Sequence, residues 1–113
     1  MINRCAVVIT AKQPFLDWLR QLPDPVRDDM TLGELNKDAH VYLGPESAME
    51  HGKDRFLKKH ARFLIERECN AWWTNEADWP RKRNFKMLTE WFEASFHSMI
   101  EDLGDDMILD DEF

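Results

Sequence analysis

The histidine with the most suggestive neighbours is His97, which stands four residues after Glu93 and four before Glu101. Residues four apart share a helix face, so this imidazole could meet a carboxylate for acid/base chemistry or metal binding. However, the apolar stripe of the same predicted helix lies on its opposite side, and a metal site needs at least three convergent protein ligands. The pattern therefore favours a solvated surface histidine.

The cysteines and the other histidines form no recognised motif. His51, His60 and Cys69 follow one another at intervals of nine residues, which matches no standard zinc spacing. A nucleophilic Cys5 would need a histidine brought close by folding, such as His40. The sequence also contains no Walker motif, HExxH or GxSxG. We therefore predict no catalytic residue, no metal ligand and no cofactor.

The segment Trp79–Phe85 interleaves aromatic rings with cations, as single-strand nucleic-acid binders do. The cluster is short and the chain is acidic, so nucleic-acid binding through Arg81–Lys86 is unfavourable. Ion pairs between these cations and the end of the preceding long helix are an alternative explanation for the cluster. A second aromatic group could line a ligand pocket, although such groups more often form core. It comprises Trp72, Trp73, Trp79 and Trp91.

Composition limits the class of protein. With 113 residues, 43% of them hydrophobic, the chain has the size and core content of one domain, residues 1–113. Its formal net charge of −7 disfavours anionic membranes and nucleic acid as partners and suits a protein with a basic face. No apolar run reaches the roughly 20 residues of a membrane span. Two cysteines and no signal-peptide pattern favour the cytoplasm.

Several elements can be predicted from local patterns. Residues 5–10 and 40–43 indicate two strands, and the helix that starts near Pro14 between them favours a parallel βαβ unit. A long helix is predicted from Lys53 to about Trp73, and a last helix from Asn84 to Leu103. Basic residues precede the last helix and acidic residues follow it, so antiparallel packing on the long helix pairs opposite charges.

The predicted fold is therefore α/β (α+β), with a small sheet of two or three strands that starts as a βαβ unit. A C-terminal antiparallel helical hairpin packs against this sheet. A two-stranded sheet leaves an edge of the apolar first strand unpaired, and folded proteins usually cover such edges. Within the acidic tail, residues 105–113, Met107–Leu109 could supply a short edge strand. Alternatively, a second copy of the protein could cover the edge as a homodimer.

Three groups of segments carry a resemblance to a known family. They are Ala6–Ile9 with Lys12–Leu19, Val41–Glu46, and Trp91-Phe92 with Phe96–Ile100. Across nearly its whole length the chain resembles a family of small uncharacterised bacterial proteins, and the segment Lys12–Leu19 (KQPFLDWL) is the most specific part. The resemblance implies a bacterial cytosolic domain and carries over no activity, cofactor or site residue.

We expect first a non-enzymatic protein-interaction domain that binds a protein partner through its acidic surface. The alternative is a small enzyme or ligand-binding protein with a pocket at the carboxyl ends of the strands, where α/β folds place their sites. That pocket would be lined by Thr10, Lys12, Gln13 and Tyr42. A third function is nucleic-acid binding through Arg81–Lys86. The candidate surface or pocket residues are Lys12, Gln13, Tyr42, Trp79 and His97.

Overall fold

A computed structural model describes residues 2–109 and shows an α+β fold with a three-stranded sheet. The strands are β1 (Arg4–Ala11), β2 (His40–Pro45) and β3 (Phe92–His97). Strand β1 is central, in the order β2-β1-β3, and both neighbours run antiparallel to it. Both edges of the apolar first strand are thus paired with strands of the same chain.

Five helices and one 3₁₀ turn surround this sheet in the described part of the chain. The helices are α1 (Gln13–Arg20), α2 (Leu32–Leu35), α3 (Ser47–Glu50), α4 (Lys53–Asn70) and α5 (Phe85–Trp91), and the 3₁₀ turn is Glu76–Asp78. None of the helices in residues 2–109 is long and apolar enough to cross a membrane.

Only one face of the sheet is covered, although the β-branched run of β1 predicts cover on both. Cys5, Val7 and Ile9 are buried under the helices, and the alternating Ala6 and Val8 are half-buried on the other face. Val41 and Leu43 of β2 pair with Val8 and Ala6, and they are 53% and 58% exposed. The sheet therefore has an open face.

The predicted parallel βαβ start is wrong, because β2 runs antiparallel to β1. A parallel crossover must carry the chain to the opposite end of the first strand. Here the connection comes back to the end it left: Asn36, shortly before β2, is hydrogen-bonded to Ala11, the last residue of β1. The second strand can then only run back alongside the first.

The predicted last helix is also corrected, and with it the helical hairpin. Helix α5 ends at Trp91, and strand β3 starts at the next residue. Phe92 and Phe96 fit a helical stripe with the preceding residues, but Phe92, Ala94 and Phe96 also alternate with polar residues at the period of a strand. Pairing with the free edge of β1 decides between the two periods, because it satisfies a row of backbone groups.

The need for a third strand was therefore predicted, but the wrong segment was chosen. Met107–Leu109 is exposed and forms no strand, and the rest of the predicted acidic tail, 110–113, lies outside the described residues. Since β2 and β3 occupy both edges of β1, the reason for expecting a second copy there disappears.

The core lies between the covered face of the sheet and helices α1, α4 and α5. Phe15 is at its centre, with ring centroids 5.5 Å from Trp18, 6.3 Å from Trp91 and 4.8 Å from Phe92. Helix α4 contributes one buried stripe: Leu57, Ala61, Leu64, Ile65 and Cys69. The last turn of this stripe borders the site described next.

Candidate functional site

A cavity of about 960 Å³ opens where β1 ends, β2 begins and α4 ends. Most of its wall is apolar and comes from the core, including Ile9, Phe15 and Leu35. Polar groups lie along one side, with His40 on β2 and Glu68 on α4. An apolar wall with a few polar groups is the usual composition of a small-molecule site.

The polar side is organised by the carboxylate of Glu68. Its Oε2 accepts a hydrogen bond from the hydroxyl of Tyr42 at 2.6 Å and lies 2.8 Å from Nδ1 of His40. The rings of His40 and Tyr42 stack with centroids 4.2 Å apart, which fixes both on the covered face of β2. Nδ1 of His40 faces Glu68, so Nε2 is the ring nitrogen left for a ligand in the cavity.

Burial shifts the ionisation of this cluster. Loss of solvent raises the pKa of Glu68 above its usual 4.5, and the hydrogen bond from Tyr42 and the nearby His40 oppose part of that rise. The pKa of Tyr42 is raised as well, first by burial and then by the charge of Glu68. Tyr42 therefore stays protonated as a donor, and Glu68 is a carboxyl group that can exist in either state at the cavity wall.

Asn36 holds the loop that closes one side of the cavity. Its Oδ1 accepts from the backbone N–H of Ala11 at 2.7 Å, and its Nδ2 donates to the Ala11 carbonyl at 3.0 Å. Strand β2 begins at His40 opposite Ile9, so no residue of β2 pairs with Ala11. The side-chain amide of Asn36 takes the place of the missing strand residue.

The rim of the cavity carries a cation and an indole. Arg67 and Trp72 both line it, and Trp72 is 43% exposed. The guanidinium of Arg67 lies 5.4 Å from the ring centroid of Phe63, which restrains the long side chain near the opening. A ligand entering here meets an aromatic edge and a positive charge before it reaches the apolar interior.

Of the predicted pocket residues, only Tyr42 belongs to this site, through its bond to Glu68. Lys12 is exposed and donates from Nζ to the Thr89 carbonyl at 2.7 Å. Gln13 is exposed and donates to Asp17 at 2.8 Å. The cavity lies at the carboxyl end of β1 but at the start of β2, and Lys12 and Gln13, at the start of α1, do not line it.

His97 lies elsewhere, on the open face of β3. Its Nε2 is 2.7 Å from Oγ of Ser95, two residues away on the same face of the strand. The predicted helical contacts with Glu93 and Glu101 are wrong because no helix spans these residues. Among residues 2–109, no group of three histidine, cysteine or acidic side chains is placed to hold a metal ion.

Trp79 and its basic neighbours stabilise a loop. The indole N–H of Trp79 donates to the Trp73 carbonyl at 2.7 Å, and the guanidinium of Arg83 lies 5.4 Å from the Trp79 ring. Arg83 also pairs with Glu66 at 3.5 Å and Glu76 at 3.0 Å. An ion pair between this basic cluster and α4 was predicted, and it forms between Arg83 and Glu66. Arg83 is one of the cations of the proposed nucleic-acid motif, Arg81–Lys86.

Neither cysteine is placed as a nucleophile. Cys5 pairs with Gly44 near the far end of β2, whereas His40 pairs with Ile9, so these two side chains lie four residues apart along the sheet. Burial raises the pKa of Cys69 to about 12, which keeps its thiol protonated.

Glu68 and Asn36 are the site residues that sequence reasoning missed. The signal for Glu68 was available, because it is the one carboxylate in the apolar stripe of the long predicted helix, and a buried acid in such a stripe needs a partner. Asn36 stands at the end of a capped single turn, and no pattern there indicates a contact with β1.

The fold and site together define a small α+β domain with a mainly apolar cavity and two acidic residues, Asp38 and Glu68, in its wall. Comparison with protein-family models, curated proteins and solved structures found no match to this chain. Its function is therefore inferred from geometry, and the resemblance to a bacterial family stays a prediction.

Replacement of Glu68 by glutamine is expected to change how stability depends on pH. Because the folded pKa lies above 4.5, the native state binds more protons than the unfolded chain above that value. The contribution of Glu68 to stability is fully present below 4.5 and is lost as the pH rises through the folded pKa. The Glu68→Gln protein has no carboxyl group at this position, so this pH-dependent contribution is absent. Between pH 4.5 and neutrality, the free energy of unfolding in urea should fall more steeply with pH in the wild type than in the variant. Equal slopes would contradict a Glu68 whose pKa is raised by burial.

Proposed function

We propose that this protein binds a small, mainly apolar molecule carrying one acidic group, in the cavity beside Glu68. The observation that supports this most is the combination of an open cavity of about 960 Å³ with an organised polar cluster in its wall. Small-molecule sites typically occupy about 300–1,000 Å³ and combine apolar walls with a few fixed polar groups.

The apolar wall defines the body of the ligand. Ile9 and Phe15 are each only 2% exposed, so the apolar surface that a ligand could remove from water belongs mainly to Leu35 and Trp72, which suits an aromatic or branched hydrocarbon group. Phe15 is held by three aromatic neighbours, so this wall is formed before any ligand enters. A preformed wall reduces the ordering cost of binding.

The polar groups favour an acidic end on the ligand. Arg67 at the rim supplies a permanent positive charge, and Nε2 of His40 supplies a second position for a hydrogen bond. Two carboxyl groups, Asp38 and Glu68, also line the cavity, and burial raises the pKa of Glu68. We therefore place the acidic end of the ligand at Arg67, and not beside these two acids.

The other expectations from the sequence stay predictions. A protein partner, a homodimer, a cytoplasmic location and bacterial origin rest on composition and resemblance. Nucleic-acid binding is disfavoured by the formal net charge of −7 and by the use of Arg83 and Trp79 within the fold.

The test is binding of 2-naphthoate, an aromatic carboxylate, measured by isothermal titration calorimetry. Ala71 lines the cavity at the end of α4, and Ala71→Trp places a large side chain there. We expect this variant to bind the probe at least about tenfold more weakly, a loss of about 1.4 kcal/mol.

Ala77→Trp is the matched control, because Ala77 is exposed in the 3₁₀ turn and does not line the cavity. It should bind 2-naphthoate as the wild type does. The proposal fails if the wild type does not bind the probe, or if Ala71→Trp binds it with unchanged affinity.

A further inference from the structure

A second region with the geometry of a binding site lies at the opposite end of β2 from the large cavity, at the turn from α3 to α4. Two adjoining cavities, of about 450 Å³ and 530 Å³, share Pro45, Phe56 and His60 in their walls. They are separate from the large cavity beside Glu68, with which they have no lining residue in common. A single elongated molecule could occupy both.

The smaller cavity is basic. Arg55 and Lys59 stand one turn apart on α4 and line it together with His51, His60 and the hydroxyl residue Ser47. None of its lining residues is acidic. Side chains four apart on a helix face the same way, so both cations can contact one bound anion.

These cations are not used by the fold. No ion pair between the described residues involves Arg55 or Lys59, whereas Arg83, Arg62 and Arg27 are all paired with carboxylates. The chain has a formal net charge of −7, so its acidic groups outnumber its basic ones. Most other basic side chains of the described residues are likewise outside any ion pair, so what distinguishes Arg55 and Lys59 is that they share one concave wall with no acidic lining residue.

The turn that forms this cavity depends on glycine. A side chain at Gly52 would place its Cβ 3.0 Å from the Ser47 carbonyl oxygen and 3.2 Å from Cα of Ala48. Glycine lets α3 close tightly onto the start of α4, which brings His51 and Ser47 beside Arg55.

The larger of the two cavities is mainly apolar. Phe56, Phe63 and Leu64 of α4 line it opposite Tyr42 and Gly44 of β2, and Arg4 of β1 lines it as well. Phe63 is 52% exposed, so this apolar surface is open to solvent. It continues directly from the basic cavity across the ring of Phe56.

We propose that these cavities bind one amphiphilic anion, with a phosphate-type head at Arg55 and Lys59 and a hydrocarbon body along Phe56 and Phe63. Two cations at one end and the rings of Phe56 and Phe63 beyond them match a molecule charged at one end. This site shares no lining residue with the cavity beside Glu68, although Phe63 contacts Arg67 at the rim of that cavity.

The test uses decyl phosphate, below the concentration at which it forms micelles, with inorganic phosphate for comparison. Decyl phosphate should bind the wild type at least about tenfold more tightly than inorganic phosphate, because its chain buries apolar surface. The double variant Arg55→Gln/Lys59→Gln should weaken decyl phosphate binding at least about tenfold. Phe63→Ser should weaken decyl phosphate but leave inorganic phosphate unchanged.

Lys58→Gln/Arg62→Gln is the matched control, because it removes the same charge from the same helix at residues that line neither cavity. It should bind decyl phosphate within about twofold of wild type, as should Ala71→Trp. Equal weakening in the control would show general charge attraction and overturn the proposal. Loss of binding in Ala71→Trp would place the probe beside Glu68 and also overturn it.

Anionic phospholipid vesicles distinguish the source of the ligand. Vesicle binding that is lost in Arg55→Gln/Lys59→Gln assigns the site to a lipid headgroup, and decyl phosphate binding without vesicle binding assigns it to a free amphiphile. Binding of neither probe to the wild type overturns the proposal.

Discussion

Replacing Phe15 by alanine is expected to lower the free energy of unfolding by about 3–5 kcal/mol, the usual cost of removing a buried phenyl ring. Phe15 is 2% exposed and contacts Trp18, Trp91 and Phe92. Its removal leaves a void between α1, α5 and β3 that three large aromatic rings cannot fill without leaving their own contacts. Chemical denaturation of the wild type and variant measures the difference.

Phe63→Ala is the control for this change, because the same ring is removed from a site that is 52% exposed. We expect it to cost less than about 1 kcal/mol, close to the range of surface substitutions. Similar losses for the two variants would contradict the placement of Phe15 at the centre of the core. Phe15 also lines the large cavity, so its removal should change 2-naphthoate binding.

Asn36→Ala is expected to cost roughly 2–3 kcal/mol, because it removes two hydrogen bonds and leaves the N–H and carbonyl of Ala11 unpaired at a half-buried position. The loop before β2 would also lose its attachment to β1. Since that loop forms one wall of the cavity, the affinity for 2-naphthoate should fall with the stability.

Asn75→Ala is the control for Asn36→Ala, because it measures the cost of losing an ordinary asparagine contact. Asn75 caps the 3₁₀ turn with one bond to the Ala77 N–H at 3.1 Å, and loss of a cap costs about 1 kcal/mol. Its replacement should leave 2-naphthoate binding unchanged. If Asn36→Ala unfolds no more easily than Asn75→Ala, the proposed role of Asn36 as a substitute strand residue is wrong.

Local signals in the sequence were reliable wherever one contact decides the structure. Threonine and asparagine favour the N-cap position, and Thr31 accepts a 3.1 Å bond from the Glu34 N–H and Asn84 a 3.0 Å bond from the Met87 N–H. The first two strands and the long helix also lie where their patterns predict them. Each of these features depends on residues close in sequence.

Features that depend on distant residues could not be predicted in the same way. Phe92–His97 satisfies both helical and strand periods, and only its pairing with β1 selects the strand. The direction of β2 depends on where the preceding loop attaches, and that is decided by Asn36 and Ala11. Both errors arise from contacts between segments that are far apart in the chain.

The candidate site was only partly predictable for the same reason. Tyr42 was identified from its place on β2, but its function in the site comes from Glu68, which is 26 residues later on α4. A carboxylate in an apolar stripe indicates that some partner exists, and the fold decides which residue it is.

The net charge describes the surface only on average and does not show where individual charges lie. The formal net charge of −7 suggests an acidic surface, yet Arg55 and Lys59 line one cavity without an ion pair among residues 2–109, and Arg67 lines the rim of the large cavity. Both proposed sites thus present cations to ligands on an acidic protein, and this explains why an anionic group is expected on each ligand.

The most direct test of the central claim is a nuclear magnetic resonance titration of the ¹⁵N-labelled protein with 2-naphthoate. We expect shift changes concentrated at Ala11, His40, Ala71 and the indole N–H of Trp72, which line the cavity. Resonances of His51 and Lys59, near the other end of β2, should stay in place. Shifts confined to the α3–α4 turn, or spread evenly over the protein, would contradict a ligand site beside Glu68.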